Sequence, residues 1–296
     1  MSVVGHSDGV VVLLGLAAAT AWGVADFFGA RAAKAEDASE AAAAVQLVGA
    51  CVYVIAYLAL GDLTPSLDLI GVAYAAAGGM LFGLGLITLF KALDAGPVSV
   101  VSPIGSAYPL VTTLVVIALF GSRPTGAQLA GIALVVIGIV VCSGIAGAAR
   151  SDVRLTRGVR LGAATLVLWG IAFAVIDQGV DRLGWKTASL AQLLAAAATC
   201  WAALRLRGHR TRYAPLLRNS LVLVAGVLIV TGDLALNLGL SGDGDAGPVI
   251  ATAISACYPV LTVLLAVRHF GEKVMAIPLT GAAIAIAGVI ALSAGG

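Results

Sequence analysis

GPVSVVSPIGSAYPLVTTLVVIALFGSRPTGAQLAGIALVVIGIVVCSG, residues 96–144, returns further along the chain as GPVIATAISACYPVLTVLLAVRHFGEKVMAIPLTGAAIAIAGVIALSAG, residues 247–295. From Tyr108 onward a constant shift of 150 lays Pro109 on Pro259, Phe120 on Phe270, Gly121 on Gly271, Gly131 on Gly281 and Gly138 on Gly288. Of the 37 positions so aligned, 11 are identical. Ala, Val, Leu and Ile align easily in an apolar chain; the Tyr-Pro, the Phe-Gly and the glycines seven apart do not. Each copy holds two apolar runs long enough to cross a bilayer, so the chain reads as a duplicated membrane protein.

Working outward, 60 % of the residues are hydrophobic, 11 % are charged and the mean hydropathy is +1.06. Soluble domains run at about 45–50 % and about 25 %, so most of this surface must face lipid. No basic segment interleaved with aromatics is present, which excludes nucleic acid as a partner. The four cysteines (Cys51, Cys142, Cys200, Cys257) fall inside apolar runs without metal-ligand spacing and read as buried thiols. Neither a metal nor a cofactor is expected, and no set of residues reads as catalytic.

A span needs about 20 apolar residues. Ten runs qualify: 10–30, 39–60, 69–90, 97–120, 125–147, 159–180, 187–206, 216–240, 247–269 and 274–294. The first lacks the basic residues that open a signal peptide and is read as a retained helix. Hydrocarbon offers no partner to a bare backbone N–H, so the spans must be helical. The duplication reaches back to the earlier spans: Trp22-Gly23 matches Trp169-Gly170, Gln46 matches Gln192, and Asp94-Ala-Gly-Pro matches Asp245-Ala-Gly-Pro. Five spans per copy is odd, so the second copy enters the membrane from the opposite side. The expected fold is all-α and membrane-embedded, with ten transmembrane helices in two inverted five-helix repeats, residues 1–149 and 150–296. Loops after odd-numbered spans carry 14 Lys and Arg against 3 after even-numbered ones. The positive-inside rule then places both termini outside the cytoplasm of a cell's inner (plasma) membrane.

The ten spans, the two repeats, the Trp-Gly in the first helix of each and the proline-containing fourth helix resemble the drug/metabolite transporter superfamily, EamA type, over essentially the whole chain. The resemblance implies a secondary transporter, often an exporter of amino acids or other small metabolites, with a central cavity between the halves. It also implies a Glu shortly after the fourth helix of each repeat. The second copy keeps it as Gly271-Glu272, whereas the first has Gly121-Ser122.

Among single residues Asp233 stands out, because a charge at the centre of a span costs about 2.5–3.5 kcal/mol on insertion scales. It is either a proton-titrating or cation-contacting group on the transport path, or a hydrogen-bonded packing acid. Asn237 lies one turn on, on the same face. Asp26 shares a face with Trp22 and is either a gate residue or a side chain reaching for the interface. Asp177, on the Trp169–Phe173 face, is a cavity-mouth acid or an interface residue. Asp26 aligns with Phe173, so these two acids are not repeat equivalents. Gln46 and Gln192 read as interhelical hydrogen bonders or substrate contacts, and Trp22 and Trp169 as cavity walls or packing. Tyr108-Pro109 and Tyr258-Pro259 read as mid-helix kinks that also serve as hinges or site-lining residues. Gly131, Gly138, Gly281 and Gly288 form small-residue stripes for close helix packing, joining either the halves or two copies of the protein; Gly79 and Gly83 form another. Oligomeric state stays open.

These residues point to alternating access by a carrier of a small organic solute, driven by protons or by the solute's own gradient. The excess of acids within the spans favours a cationic or zwitterionic solute. No Walker sequence is present, so ATP drive is not encoded here. A channel or scaffold without a transport cycle, or an intramembrane enzyme built on the three aspartates, are the alternatives.

Overall fold

Apolar runs that must satisfy their own backbone in lipid become helices, and every regular element among the described residues is one. The computed structural model describes residues 8–59, 68–120, 125–148, 153–208, 216–240, 251, 254–255, 257–272 and 276–294. The first repeat supplies α1 (Asp8–Ala35), α2 (Ala38–Ala59), α3 (Leu69–Ala95), α4 (Val98–Ser106), α5 (Pro109–Phe120) and α6 (Gly126–Ala148). The second supplies α7 (Val153–Leu183), α8 (Trp185–Leu206), α9 (Ser220–Leu240), α10 (Tyr258–Phe270) and α11 (Ala276–Ala294). Seven stretches are long and apolar enough to cross a membrane. The shorter apolar helices Leu129–Gly138, Tyr258–Phe270 and Thr280–Ala291 fall on the fifth, ninth and tenth runs. Large apolar side chains such as Leu13 (66 % exposed) and Ile55 (68 %) cover the outside, as lipid-facing surface should.

The fourth run departs from the expected single kinked helix. It is two helices, α4 and α5, separated by a turn at Ala107 and Tyr108. Pro109 has no N–H to donate and its ring displaces the carbonyl one turn back, so α4 stops and α5 restarts with proline as its first residue. The second repeat does the same: Cys257 (φ −80°, ψ 0°) matches Ala107 (φ −78°, ψ 13°), and α10 begins at Tyr258-Pro259.

The repeats interleave. The most extensive packing pairs an element of one repeat with an element of the other: α3 with α7, α6 with α11, α1 with α9, and α2 with α8. Small residues let these backbones touch. Gly79 lies against the Gln192 backbone and Gly83 against Ala196 of α8, while Gly226 lies against Val45 and Val48 of α2. The stripe on α6 meets the one on α11 inside a single chain: Gly138 sits on Ala285 and Gly288 on Val135, with Gly131 and Gly281 buried on the same two helices.

The cysteines differ from expectation in part. Cys200 is buried and reaches the Gly83 carbonyl at 3.4 Å, Cys257 is half-buried, and Cys51 is exposed on the lipid face of α2. The Cys142 side chain lies outside the described residues.

At one end of the bundle Asp68 caps α3. Its Oδ1 accepts from the N–H groups of Ile70 (2.9 Å) and Gly71 (3.2 Å), and its Oδ2 pairs with Arg182 at the end of α7 (3.1 Å). The Gly71 N–H foremost, then the Arg182 guanidinium, hold this carboxyl below the usual carboxylate range. The cap is therefore fully present above the ordinary Asp value of 3.8 and is lost as pH falls through the lowered one. Asp68→Ala should lower the melting temperature slightly at neutral pH. Thermal melts should then show the difference from wild type shrinking in strong acid.

Candidate functional site

Among the described residues a cavity that carries polar and aromatic side chains lies between the repeats. It is lined by Trp22, Asp26, Phe82, Leu86, Tyr108, Trp169, Phe173, Ile229, Asp233 and Tyr258. The cavity measures about 60 Å³. A benzene occupies a cavity of about 150 Å³, so in this conformation the space takes only water or a small head group, and a larger solute requires its walls to move apart.

Its depth follows from the helices. Trp22 and Phe82 each stand thirteen residues from both ends of Gly9–Ala35 and Leu69–Ala95. Trp169 stands fourteen from both ends of Leu155–Leu183, and Ile229 falls at the middle of Ser220–Gly239. Four helices thus bring their midpoints to one place, the bilayer midplane in an inverted-repeat protein.

The lining obeys the duplication. A shift of 147 turns Trp22 into Trp169, Asp26 into Phe173, Phe82 into Ile229 and Leu86 into Asp233, and a shift of 150 turns Tyr108 into Tyr258. The ten residues are five two-fold pairs. Contacts repeat accordingly. Trp22 Nε1 donates to the Ile229 carbonyl (3.3 Å) and Trp169 Nε1 to that of Phe82 (3.2 Å). The Trp22–Tyr258 rings meet edge-on at 5.9 Å and the Trp169–Tyr108 rings at 6.0 Å. Thr262 donates to the Gly23 carbonyl as Thr112 does to that of Gly170. Each indole is seated on a glycine: a Cβ at Gly85 would overlap the Trp169 ring, and one at Gly232 would lie 2.5 Å from Trp22 Cδ1.

Three pairs differ, Phe82 from Ile229, Asp26 from Phe173 and Asp233 from Leu86, and the last two put a carboxylate on the side formed by α1 and α9. Asp233 Oδ1 accepts from Trp22 Nε1 at 3.0 Å, and Asp26 Oδ2 accepts from the Ser102 hydroxyl at 3.3 Å. Both acids are half-buried. Among the described residues no Lys, Arg or His lines the cavity. The opposite side is aromatic. Phe82 stacks on Trp169 (5.3 Å, 10° between planes) and Tyr108 on Phe173 (4.6 Å, 23°).

The structure therefore gathers Trp22, Asp26, Tyr108, Trp169, Asp233 and Tyr258 and leaves four other candidates outside the lining. Gln46 is 2 % exposed and donates to the Leu193 carbonyl at 3.4 Å across the α2–α8 seam. Gln192 lies at the same seam, and the equivalence drawn between the two glutamines is one residue out. Gly79 meets Gln192 where Gly226 meets Val45, so Val45 is the two-fold mate of Gln192 and Leu193 that of Gln46. Asn237 turns its amide onto the Asp233 backbone carbonyl (2.8 Å). Asp177 is exposed on α7, one turn beyond the cavity. Phe82, Leu86, Phe173 and Ile229 were not anticipated as site residues. They are apolar residues in apolar runs; the 147 shift applied to Asp26 and Asp233 leads to Phe173 and Leu86, whereas nothing in the sequence marks Phe82 and Ile229, which are each other's mates.

Beyond the cavity, Glu272 bridges the repeats. Gly271 takes a left-handed turn (φ 63°) after α10, and the Glu272 carboxylate then accepts from the N–H groups of Val98 (2.8 Å) and Ser99 (3.0 Å). It satisfies the first donors of α4, whose N-cap, Pro97, offers no side-chain acceptor. Gly121-Ser122, its counterpart, lies outside the described residues.

Ten apolar spans in two repeats around a mid-depth cavity define a multi-pass membrane protein of the transporter type. The chain belongs to the EamA-like transporter family, whose sequence profile matches residues 9–144 and 156–294, one repeat each. That family consists of small-molecule transporters and not of enzymes. A solved structure described only as "Crystal structure of protein" superposes with a TM-score of 0.62 over 96 % of both chains at 21 % identity, a likeness of fold. No protein of curated function matches the sequence.

Proposed function

We propose that the protein is a secondary transporter that exports a small organic metabolite of amino-acid or amine size across the inner (plasma) membrane by alternating access, with proton coupling through Asp233 and Asp26. The observation that carries this reading is the cavity: one chamber at mid-depth, lined pairwise by both repeats, with two acids in it. An inverted pair of repeats can exchange conformations about such a chamber and open it to either side in turn. The Lys and Arg distribution supports an orientation with both termini outside. On that orientation Glu272 and the start of α4 lie on the cytoplasmic side, and their link serves as a latch there.

Flux in liposomes tests the proposal, with amino acids and amines offered with and without a pH gradient. Saturable, gradient-sensitive uptake is expected; uptake that never saturates indicates a pore, and none across the panel refutes the carrier. For the latch, Glu272→Gln should speed amide hydrogen exchange at Val98 and Ser99 by on the order of tenfold, since bonds to a charged acceptor contribute about 1.5–3 kcal/mol. Unchanged protection would refute it.

A further inference from the structure

The two places where the cavity departs from its two-fold symmetry by a carboxylate also say what it holds. We propose that the solute is an organic amine, a single cationic head on a flat apolar body, with the head between Asp26 and Asp233 and the body against the aromatic side. This rests on the transporter reading above and names its substrate class.

The α1–α9 side holds two carboxylates where its mate holds Phe173 and Leu86. A carboxylate offers about four acceptor sites. Among the described residues Asp26 receives one hydroxyl and Asp233 one indole N–H. Among the described residues no cationic side chain lines the chamber to balance them. Charges at mid-membrane persist where a partner or a water-filled path compensates them, and an ammonium supplies three donors and the opposite charge. The same absence argues against a zwitterion, because a solute carboxylate would find no cation. Nor are the helix starts at the break open to it: the Leu110 N–H is bonded to the Ala107 carbonyl, that of Thr112 to Tyr108 and that of Val260 to Cys257. A calcium ion takes about six to eight oxygen ligands, which two aspartates in an aromatic chamber do not provide.

The far side supplies the other half of the recognition. Two stacked pairs, Phe82–Trp169 and Tyr108–Phe173, meet edge to face (Phe82–Phe173 at 5.9 Å and 86°), giving a preformed apolar surface. An aromatic ring placed there gains stacked or edge-to-face contacts with these rings beyond its burial. Trp22, bonded to Asp233 on the acidic side, can add a cation–π contact to the head.

Equilibrium binding to the purified full-length protein tests this with radiolabelled phenethylamine. Ethylamine (head without ring), 2-phenylethanol (ring without charge) and 3-phenylpropionate (ring with the opposite charge) are the comparisons. Phenethylamine should bind saturably, the first two at least about tenfold more weakly, and the anion should not compete. Asp26→Asn and Asp233→Asn should each weaken phenethylamine on the order of tenfold or more. Both variants should elute from size-exclusion chromatography as wild type does, which reports that they are folded. Phenethylamine binding no tighter than the alcohol, binding indifferent to both substitutions, or no saturable binding at millimolar concentration would each overturn the amine. Amine binding without flux in liposomes would spare this inference and sink the transporter reading. Saturable flux of a neutral amino acid without amine binding would do the reverse.

Discussion

Asp233→Asn is expected to abolish proton-coupled flux while the protein still inserts, folds and purifies as a single species. The substitution keeps shape and keeps an oxygen for the Trp22 indole, which now donates to Oδ1 at 3.0 Å. It removes the charge and the exchangeable proton, which is what a coupling group must have. Removing an acid from mid-membrane also lowers the cost of insertion, about 2.5–3.5 kcal/mol for an Asp at the centre of a span, so a folding defect is not the expected failure. Loss of a bond between charged groups is worth roughly 1.5–3 kcal/mol, and flux driven by an imposed pH gradient should fall at least about tenfold. Asp177→Asn is the matched control: the same exchange on an exposed residue of α7 outside the cavity, expected to leave flux unchanged. If Asp233→Asn responds to the gradient as wild type does, this carboxylate does not couple protons.

That Asp233 stands out in the sequence, while Gln46 stays open there between helix packing and substrate contact, shows what hydropathy carries. Both are polar residues in apolar runs, and a run declares only that a helix crosses, not which way it is turned. Asp233 faces the chamber from α9; Gln46, on α2, spends its amide on the Leu193 carbonyl at a helix seam. The magnitude of desolvation separated them in part, since a carboxylate in hydrocarbon demands an explanation and an amide with one interhelical bond does not. The repeats were legible because Tyr-Pro, Phe-Gly and spaced glycines survive in both copies. The break at Ala107–Tyr108 was half-legible: proline forbids a continuous hydrogen-bond ladder, but whether the helix bends or stops depends on the packing around it. The aromatic side stayed hidden, since Phe82 and Phe173 look like any lipid-facing residue until the two-fold places them opposite Ile229 and Asp26.

Gly138→Val should cost the protein most of its folded population. In water, two apolar helix faces are driven together by burial; in lipid that drive is gone, and contact between close-fitting surfaces must do the work. At the α6–α11 crossing the fit is backbone on backbone. A Cβ at Gly138 would come within 2.7 Å of Ala285 Cα, and at the two-fold related point a Cβ at Gly288 would lie 2.5 Å from the Val135 nitrogen and 2.8 Å from the Gly131 carbonyl. Neither neighbour is a side-chain tip that could swing aside, so the helices must separate and lose the contacts that hold them. Overpacking of this kind costs about 1–3 kcal/mol and sometimes more, a large share of the 5–15 kcal/mol typical of a whole protein. Gly126→Ala, on the same helix with nothing within 4 Å of the added carbon, should leave the melting temperature unchanged or slightly higher. Because Gly138 and Gly288 guard one crossing, Gly288→Val should reproduce the loss and the double variant should be less than additive. Melting curves followed by size-exclusion of detergent-solubilised protein decide it. A Gly138→Val protein that melts with wild type would mean that α6 and α11 do not touch in the membrane, and that the glycine stripe is free to face a second copy.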